Sequence, residues 1–145
     1  MPGKNSRSAL GSSTAVEDYL ERILELMNSK GYARVVDIAS ALKISQASVT
    51  NMVQRLGTEG LLKYEKYRGL VLTSSGEKLA RNIAHRHKLL TDFLKLLGLS
   101  ERVIYHDVEG MEHHISHPTL RAIEALTSQL RRRPALRASL KSAVA

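Results

Sequence analysis

Apolar positions recur along this chain with the three-and-four spacing of helices, broken once by a short stretch of different rhythm. Val16, Tyr19, Leu20, Ile23, Leu24 and Met27 hold one face of a helix that Gly31 stops, and Thr14-x-x-Glu17 has the spacing of a capping box. The opposite face carries an acidic stripe of Asp18, Glu21 and Glu25. Val35, Ile38, Ala39 and Leu42 predict a short second helix and Lys43-Ile44 a turn. Ser45 then caps a third helix whose Val49, Met52, Val53 and Leu56 face inward. After Gly60 the period changes. "LLKYE" and "LVLT" are β-prone runs on either side of "KYRG", which predicts a hairpin whose turn ends at Gly69.

Helical spacing then returns. Thr73 or Ser74 caps a long helix to about Leu97, stopped by Gly98, in which Leu79, Ile83, His87, Leu90, Leu94 and Leu97 approach a coiled-coil seam that His87 interrupts. Further helices are expected over 100–115 and 118–131, with a weaker one after Pro134. Residues 1–13 are small and polar and are expected to form a disordered arm. The expected fold is mainly α: a winged helix-turn-helix domain over 14–73, then an all-helical domain over 74–145.

The outward face of the third helix offers Gln46, Ser48, Thr50, Asn51, Gln54 and Arg55, with Ser45 at its start. These are hydrogen-bonding side chains suited to base edges and phosphates, with no bulky obstacle to entering a major groove. Lys66 and Arg68 stand at the tip of the hairpin, as on a wing placed against phosphate or a minor groove. Charge agrees with a polyanionic partner, since 22 Lys and Arg against 14 Asp and Glu leave a formal net charge of +8. Neither a spanning apolar run nor a leader is evident, so a cytoplasmic protein without membrane attachment is expected. Cysteine is absent, so disulfides, thiolate metal sites and thiol nucleophiles are excluded together, and a metal would have to be held by oxygen and imidazole.

That last constraint gives weight to "DVEGMEHHISH" (107–117). At about 3.6 residues per turn, Glu109, Glu112 and His113 share one helical face, where two carboxylates repel unless a cation sits between them. All six histidines lie between His85 and His117, away from the helix-turn-helix pattern. If the long helix packs beside this cluster, His87 adds an imidazole, and the acidic face of the first helix can add Asp18 and Glu21. Four ionised carboxylates in a partly dry site demand counter-charge, which two divalent cations would provide. A metal shared in this way would govern the geometry of the DNA reader. His85, His106, His114 and His117 receive no role beyond solvation.

The stretches "EDYLERI", "KGYARVVDIASAL", "SVTNMVQRL", "YEKYRGLVLTSSG", Arg86-His87 and "DVEGMEHH" resemble the DtxR/MntR family of metal-dependent bacterial repressors, most closely its short manganese-responsive branch. The resemblance covers Val16 to about Ile123. It places the family's metal ligands on Asp18, Glu21, His87, Glu109, Glu112 and His113. The iron-responsive branch has Met in place of Asp18, Cys in place of Glu109, and an additional SH3-like domain. Carboxylate in place of sulfur favours Mn²⁺. Fe²⁺, Zn²⁺ and Cd²⁺ are ions the same set could accept in vitro. The resemblance further implies a homodimer built by the second domain, a palindromic operator in double-stranded DNA, repression of uptake genes when the ion is plentiful, and no small organic ligand. The basic end after Ser128 departs from the family pattern.

Four other readings compete. Glu109-x-x-Glu112-His113 is one substitution from the H-x-x-E-H pattern of a zinc peptidase, whose first histidine it lacks. A di-metal carboxylate oxidase needs Glu-x-x-His on two helices, and one helix only is found. A basic winged-helix architectural protein without a ligand leaves the six site residues as coincidence. An iron-responsive repressor of the same family is the nearest alternative, and no enzyme activity is expected.

Overall fold

The structure, a computed structural model, describes residues 14–145, so the arm expected over 1–13 lies outside the described residues. The elements run α1 (Thr14–Lys30), α2 (Val35–Leu42), α3 (Gln46–Thr58), β1 (Leu62–Glu65), β2 (Gly69–Leu72), α4 (Ser74–Leu96), α5 (Glu101–Met111), α6 (His117–Arg131) and α7 (Pro134–Val144). The chain divides into two compact units, Met1–Arg81 and Asn82–Ala145, whose boundary falls within α4. Among the described residues, no helix is long and apolar enough to cross a membrane.

The first unit is a winged helix-turn-helix. The apolar face of α1 is buried at Val16, Leu20, Ile23 and Leu24; α1 packs on α2 and α2 on α3, where Ile38, Ala39, Val49 and Leu56 are buried in turn. Lys43 makes the turn between α2 and α3 in the left-handed region (φ 57°). Its amide donates to the Ser40 carbonyl, and that of Ile44 donates to Ala39. Ser45 then caps α3, its hydroxyl accepting from the Ser48 amide at 3.2 Å. Strands β1 and β2 pair antiparallel in the register Leu62 with Leu72 through Glu65 with Gly69. The sheet gains a single bridge from Ala33 to Leu70, a pairing the sequence pattern does not announce. Thr14 is already helical, so the side chain expected to cap α1 stands inside it.

Thr73 joins the hairpin to α4. Its hydroxyl donates to the Gly60 carbonyl at 2.6 Å and accepts from the Gly76 amide at 3.1 Å, while its own amide donates to Leu61. Gly76 is required here by proximity rather than by dihedral freedom, because an added Cβ would sit 1.9 Å from the Leu61 carbonyl oxygen. The first turn of α4 is thereby locked onto the base of the wing.

The second unit is helical throughout. Leu90 and Leu94 of α4 meet Ile104 and Val108 of α5, with Phe93, Leu97, Leu120 and Ile123 packed around them. Gly98 ends the long helix at φ 87°, where any Cβ would run into the stem of Lys141 from α7. Helix α5 is shorter than the spacing predicts. It ends at Met111, Glu112 is its C-cap, and the chain turns through His113 and His114 before Ser116 caps α6. Helix α7 forms after Pro134 as expected and has no buried residue.

Candidate metal centre and nucleic-acid face

The seam histidine and the acidic end of α5 meet inside the second unit. His87 Nδ1 lies 2.7 Å from Glu112 Oε2, and His113 Nε2 lies 3.4 Å from Glu112 Oε1. The Glu112 side chain is 1% exposed, that of His113 5%, and that of His87 34%. Ending α5 at Met111 does not redirect Glu112, because its backbone keeps helical dihedrals (φ −60°, ψ −28°) and its amide still donates to the Val108 carbonyl. Arg86 holds the same turn from α4, its guanidinium donating to the Glu112 carbonyl at 2.6 Å.

Glu112 is the informative member. Its Oε1 is buried with no hydrogen-bond partner among the described residues, although a buried carboxylate oxygen ordinarily has one. A carboxylate is an acceptor only, and so is the neutral imidazole nitrogen that ligates metal; together they form a hard oxygen-and-nitrogen donor set. A divalent cation therefore fits His87, Glu112 and His113. A structural hydrogen-bond cluster fits less well, since it would have satisfied both oxygens.

The other three expected ligands lie on α5 and α1. Glu109 stands one turn before Glu112 on α5 and is exposed. In the first unit, Asp18 and Glu21 lie three residues apart on α1, both partly buried. Glu17, which the sequence reading used only as half of a capping box, is buried at 8%.

On the nucleic-acid side, Ser45, Gln46, Ser48, Thr50, Asn51 and Gln54 are all exposed on α3, as are Lys66 and Arg68 on the turn of the wing. Thr50 spends its hydroxyl on the Gln46 carbonyl, and Ser45 binds Ser48 at 2.9 Å, which leaves Gln46, Asn51 and Gln54 as the better base readers. Arg55 is turned along the helix to Glu59 at 3.0 Å. Sequence reasoning passed over the tyrosines of the wing. Tyr67 is 90% exposed at φ 72° with the Lys66 ammonium over its ring, and Tyr64 is 74% exposed. Lys63 and Arg68 pull Glu65 below the ordinary carboxylate range, first through a hydrogen bond from Lys63.

Two family descriptions cover nearly all of the described chain. Residues 12–70 match the iron dependent repressor N-terminal DNA binding domain, and residues 73–138 match the iron dependent repressor metal binding and dimerisation domain. The HTH-type transcriptional regulator MntR of Bacillus subtilis (strain 168) is 47% identical over 131 residues, 90% of this chain and 92% of the relative. MntR of Geobacillus thermodenitrificans (strain NG80-2) is 56% identical over 102 residues, 70% of this chain and 72% of that one. Among solved structures, the manganese regulator SloR is similar with a TM-score of 0.69 at 29% identity, covering 78% of this chain and 53% of that chain. ScaR with bound Zn²⁺ is similar with a TM-score of 0.70 at 31% identity over the same shares. The chain thus spans about half the length of these solved proteins.

Proposed function

This chain belongs to the DtxR/MntR family of metal-dependent transcriptional regulators, and we propose on that footing that it is a manganese-responsive repressor of metal uptake genes. Residues 14–73 serve as the DNA-binding head and residues 74–145 as the metal-binding and dimerisation domain. The observation that carries the metal half of this reading is the buried Glu112, placed between two imidazoles with one carboxylate oxygen left without a hydrogen bond.

The ligand set we assign is Asp18, Glu21, His87, Glu109, Glu112 and His113. Its six members are oxygen and imidazole donors, which supports Mn²⁺ over softer ions, and its four carboxylates support two ions per subunit. A bound divalent ion would supply the positive charge that lets these carboxylates stay ionised together. Asp18 and Glu21 belong to the helix that carries the helix-turn-helix core, so their charge state governs how the head is held. His87 and Arg86 are adjacent on α4 and grip Glu112 by side chain and backbone respectively, which aims the carboxylate without freedom to rotate away.

At the operator, a palindrome in double-stranded DNA read by a homodimer, Gln46, Asn51 and Gln54 read base edges. Ser45, Ser48, Thr50, Lys66 and Arg68 position the head on phosphate. The chemistry is recognition rather than turnover, in keeping with relatives that are transcriptional regulators.

A titration of Mn²⁺, Fe²⁺ and Zn²⁺ against binding of an uptake-promoter duplex tests the whole reading. Mn²⁺ should tighten binding at least tenfold over a chelated sample, a coupling of about 1.4 kcal/mol or more. Equal affinity with and without every metal refutes a metal-responsive regulator, while a response to Fe²⁺ alone transfers the assignment to the iron-responsive branch. In the same assay Asn51→Ala should change sequence preference. Lys66→Ala should weaken all duplexes alike and flatten the salt slope by roughly one.

A further inference from the structure

The carboxyl-terminal corner of the second unit balances its charge differently from the rest of the molecule. Elsewhere, four exposed cations meet a carboxylate one turn away on their own helix: Arg22 with Glu25, Arg55 with Glu59, Arg81 with Glu77 and Lys88 with Asp92. From Ala125 to Ala145 there is no acidic residue at all, against five basic ones, Arg131, Arg132, Arg133, Arg137 and Lys141. Arg131 reaches Asp92 at 3.0 Å, whereas the other four form no ion pair among the described residues.

Placement concentrates these charges. Arg131 closes α6, Arg132 is its C-cap, Arg133 is the N-cap residue of α7, and Pro134 sets the corner between the two helices. Arg133, Arg137 and Lys141 follow at intervals of four, a line of cations about 6 Å apart along α7. Lys141 is anchored by its stem against Gly98, and Arg137 Nε is buried without a hydrogen-bond partner. The α6 macrodipole rewards Arg131 and Arg132 at its negative end. The positive end of α7 opposes Arg133, so helix-end electrostatics does not account for the cluster.

We propose that this corner, with Arg132 and Arg133 at its centre, is a second nucleic-acid contact that holds the phosphate backbone of duplex DNA independently of base sequence and of metal. Guanidinium groups suit phosphate through paired parallel hydrogen bonds, and arginine supplies four of the five charges. A membrane surface is the poorer match. Helix α7 is only 11 residues long, and the chain has no aromatic residue after Tyr105 to anchor in a headgroup layer. The proposal goes beyond the regulator reading and shares with it only that the partner is DNA.

The test uses the full chain and a fluorescein-labelled 30-bp duplex of random sequence, with anisotropy read across a salt series of roughly 50 to 200 mM, in chelator and in Mn²⁺. Arg132→Gln with Arg133→Gln should flatten the slope of log affinity against log salt by about 2 and weaken low-salt binding roughly tenfold, equally with and without metal. Arg132→Lys with Arg133→Lys should keep most of the slope, and an unchanged melting temperature in both variants excludes unfolding as the cause. Identical slopes for the wild type and the glutamine variant overturn the proposal while leaving the winged-helix reading intact. Failure of the wild type to bind any duplex overturns both. A glutamine variant that loses phosphatidylglycerol vesicles but keeps its duplex slope overturns it in favour of a membrane contact.

Discussion

Helix α4 offers a histidine to a glutamate twice, and burial separates the two encounters. His87 Nδ1 meets Glu112 at 2.7 Å with the carboxylate 1% exposed, whereas His85 Nε2, two residues earlier, meets Glu124 at 3.6 Å with both side chains more than half exposed. Chemically the pairs are alike. In water the outer pair gains little, since an exposed ion pair contributes about 0–1 kcal/mol and each partner can hydrogen-bond solvent instead. In the interior the carboxylate has no such recourse, so whatever satisfies Glu112 must be supplied by the protein or by a cation. A His/Glu pair becomes a candidate metal site through what excludes water around it. The outer pair lines an open groove of about 200 Å³ with Lys88, Asp92 and Arg131, a surface already neutralised by its own ion pairs.

The contrast can be broken most directly by deleting each carboxylate. Glu112→Ala should weaken Mn²⁺ binding, read by titration calorimetry, on the order of a hundredfold, and Glu124→Ala should change it less than twofold. Equal losses would mean that burial is not what distinguishes them. Asp18→Asn and His113→Ala, from the same assigned set, should each weaken the metal response of duplex binding while leaving the melting temperature of the metal-free protein within a few degrees.

Packing around the two pairs gives the next effect. Leu90, three residues after His87, is fully buried against Ile104 and Val108, and Leu90→Ala should cost about 2–5 kcal/mol in chemical denaturation. Leu126, two residues beyond Glu124, is 48% exposed, and its truncation should cost less than about 0.5 kcal/mol. A large loss at Leu126 would show that this face is covered in solution.

The smallest effect belongs to the ion pairs of the outer groove. A hydrogen bond from Lys88 holds the Asp92 carboxyl below its ordinary value, helped by the charges of Lys88, Arg131 and Lys95 and opposed by desolvation. Because the folded value is the lower one, this stabilisation is complete above the ordinary carboxylate range. It is lost as pH falls through the depressed value. Asp92→Asn should therefore cost a few tenths of a kcal/mol at neutral pH and nothing in strong acid, as followed by melting temperature against pH.

Much of this architecture was legible from local patterns. The three-and-four spacing of Val16 to Met27 and of Leu79 to Leu97 placed α1 and α4, and Ser45 and Gly98 marked a helix start and stop, because caps and stops are decided within a few residues. The period change after Gly60 placed the wing for the same reason. The candidate site was legible by residue type, since a chain without cysteine has few ways to hold a metal. The end of α5 was not, because Glu109, Glu112 and His113 keep helical spacing whether the backbone hydrogen bonds continue or stop at Met111.

What the amino-acid order determined alone is therefore the element types, the polar face of α3, the lack of acidic residues after Glu124 and the inventory of donors. Tertiary structure decided which two of six histidines meet a buried carboxylate, why Gly76 must lack a side chain beside Leu61, and how Ala33 joins the sheet at Leu70. The division has one cause. Propensity, capping and periodicity act over a turn or two of chain, whereas desolvation and close approach depend on residues brought together from 25 or more positions apart, as His87 and Glu112 are.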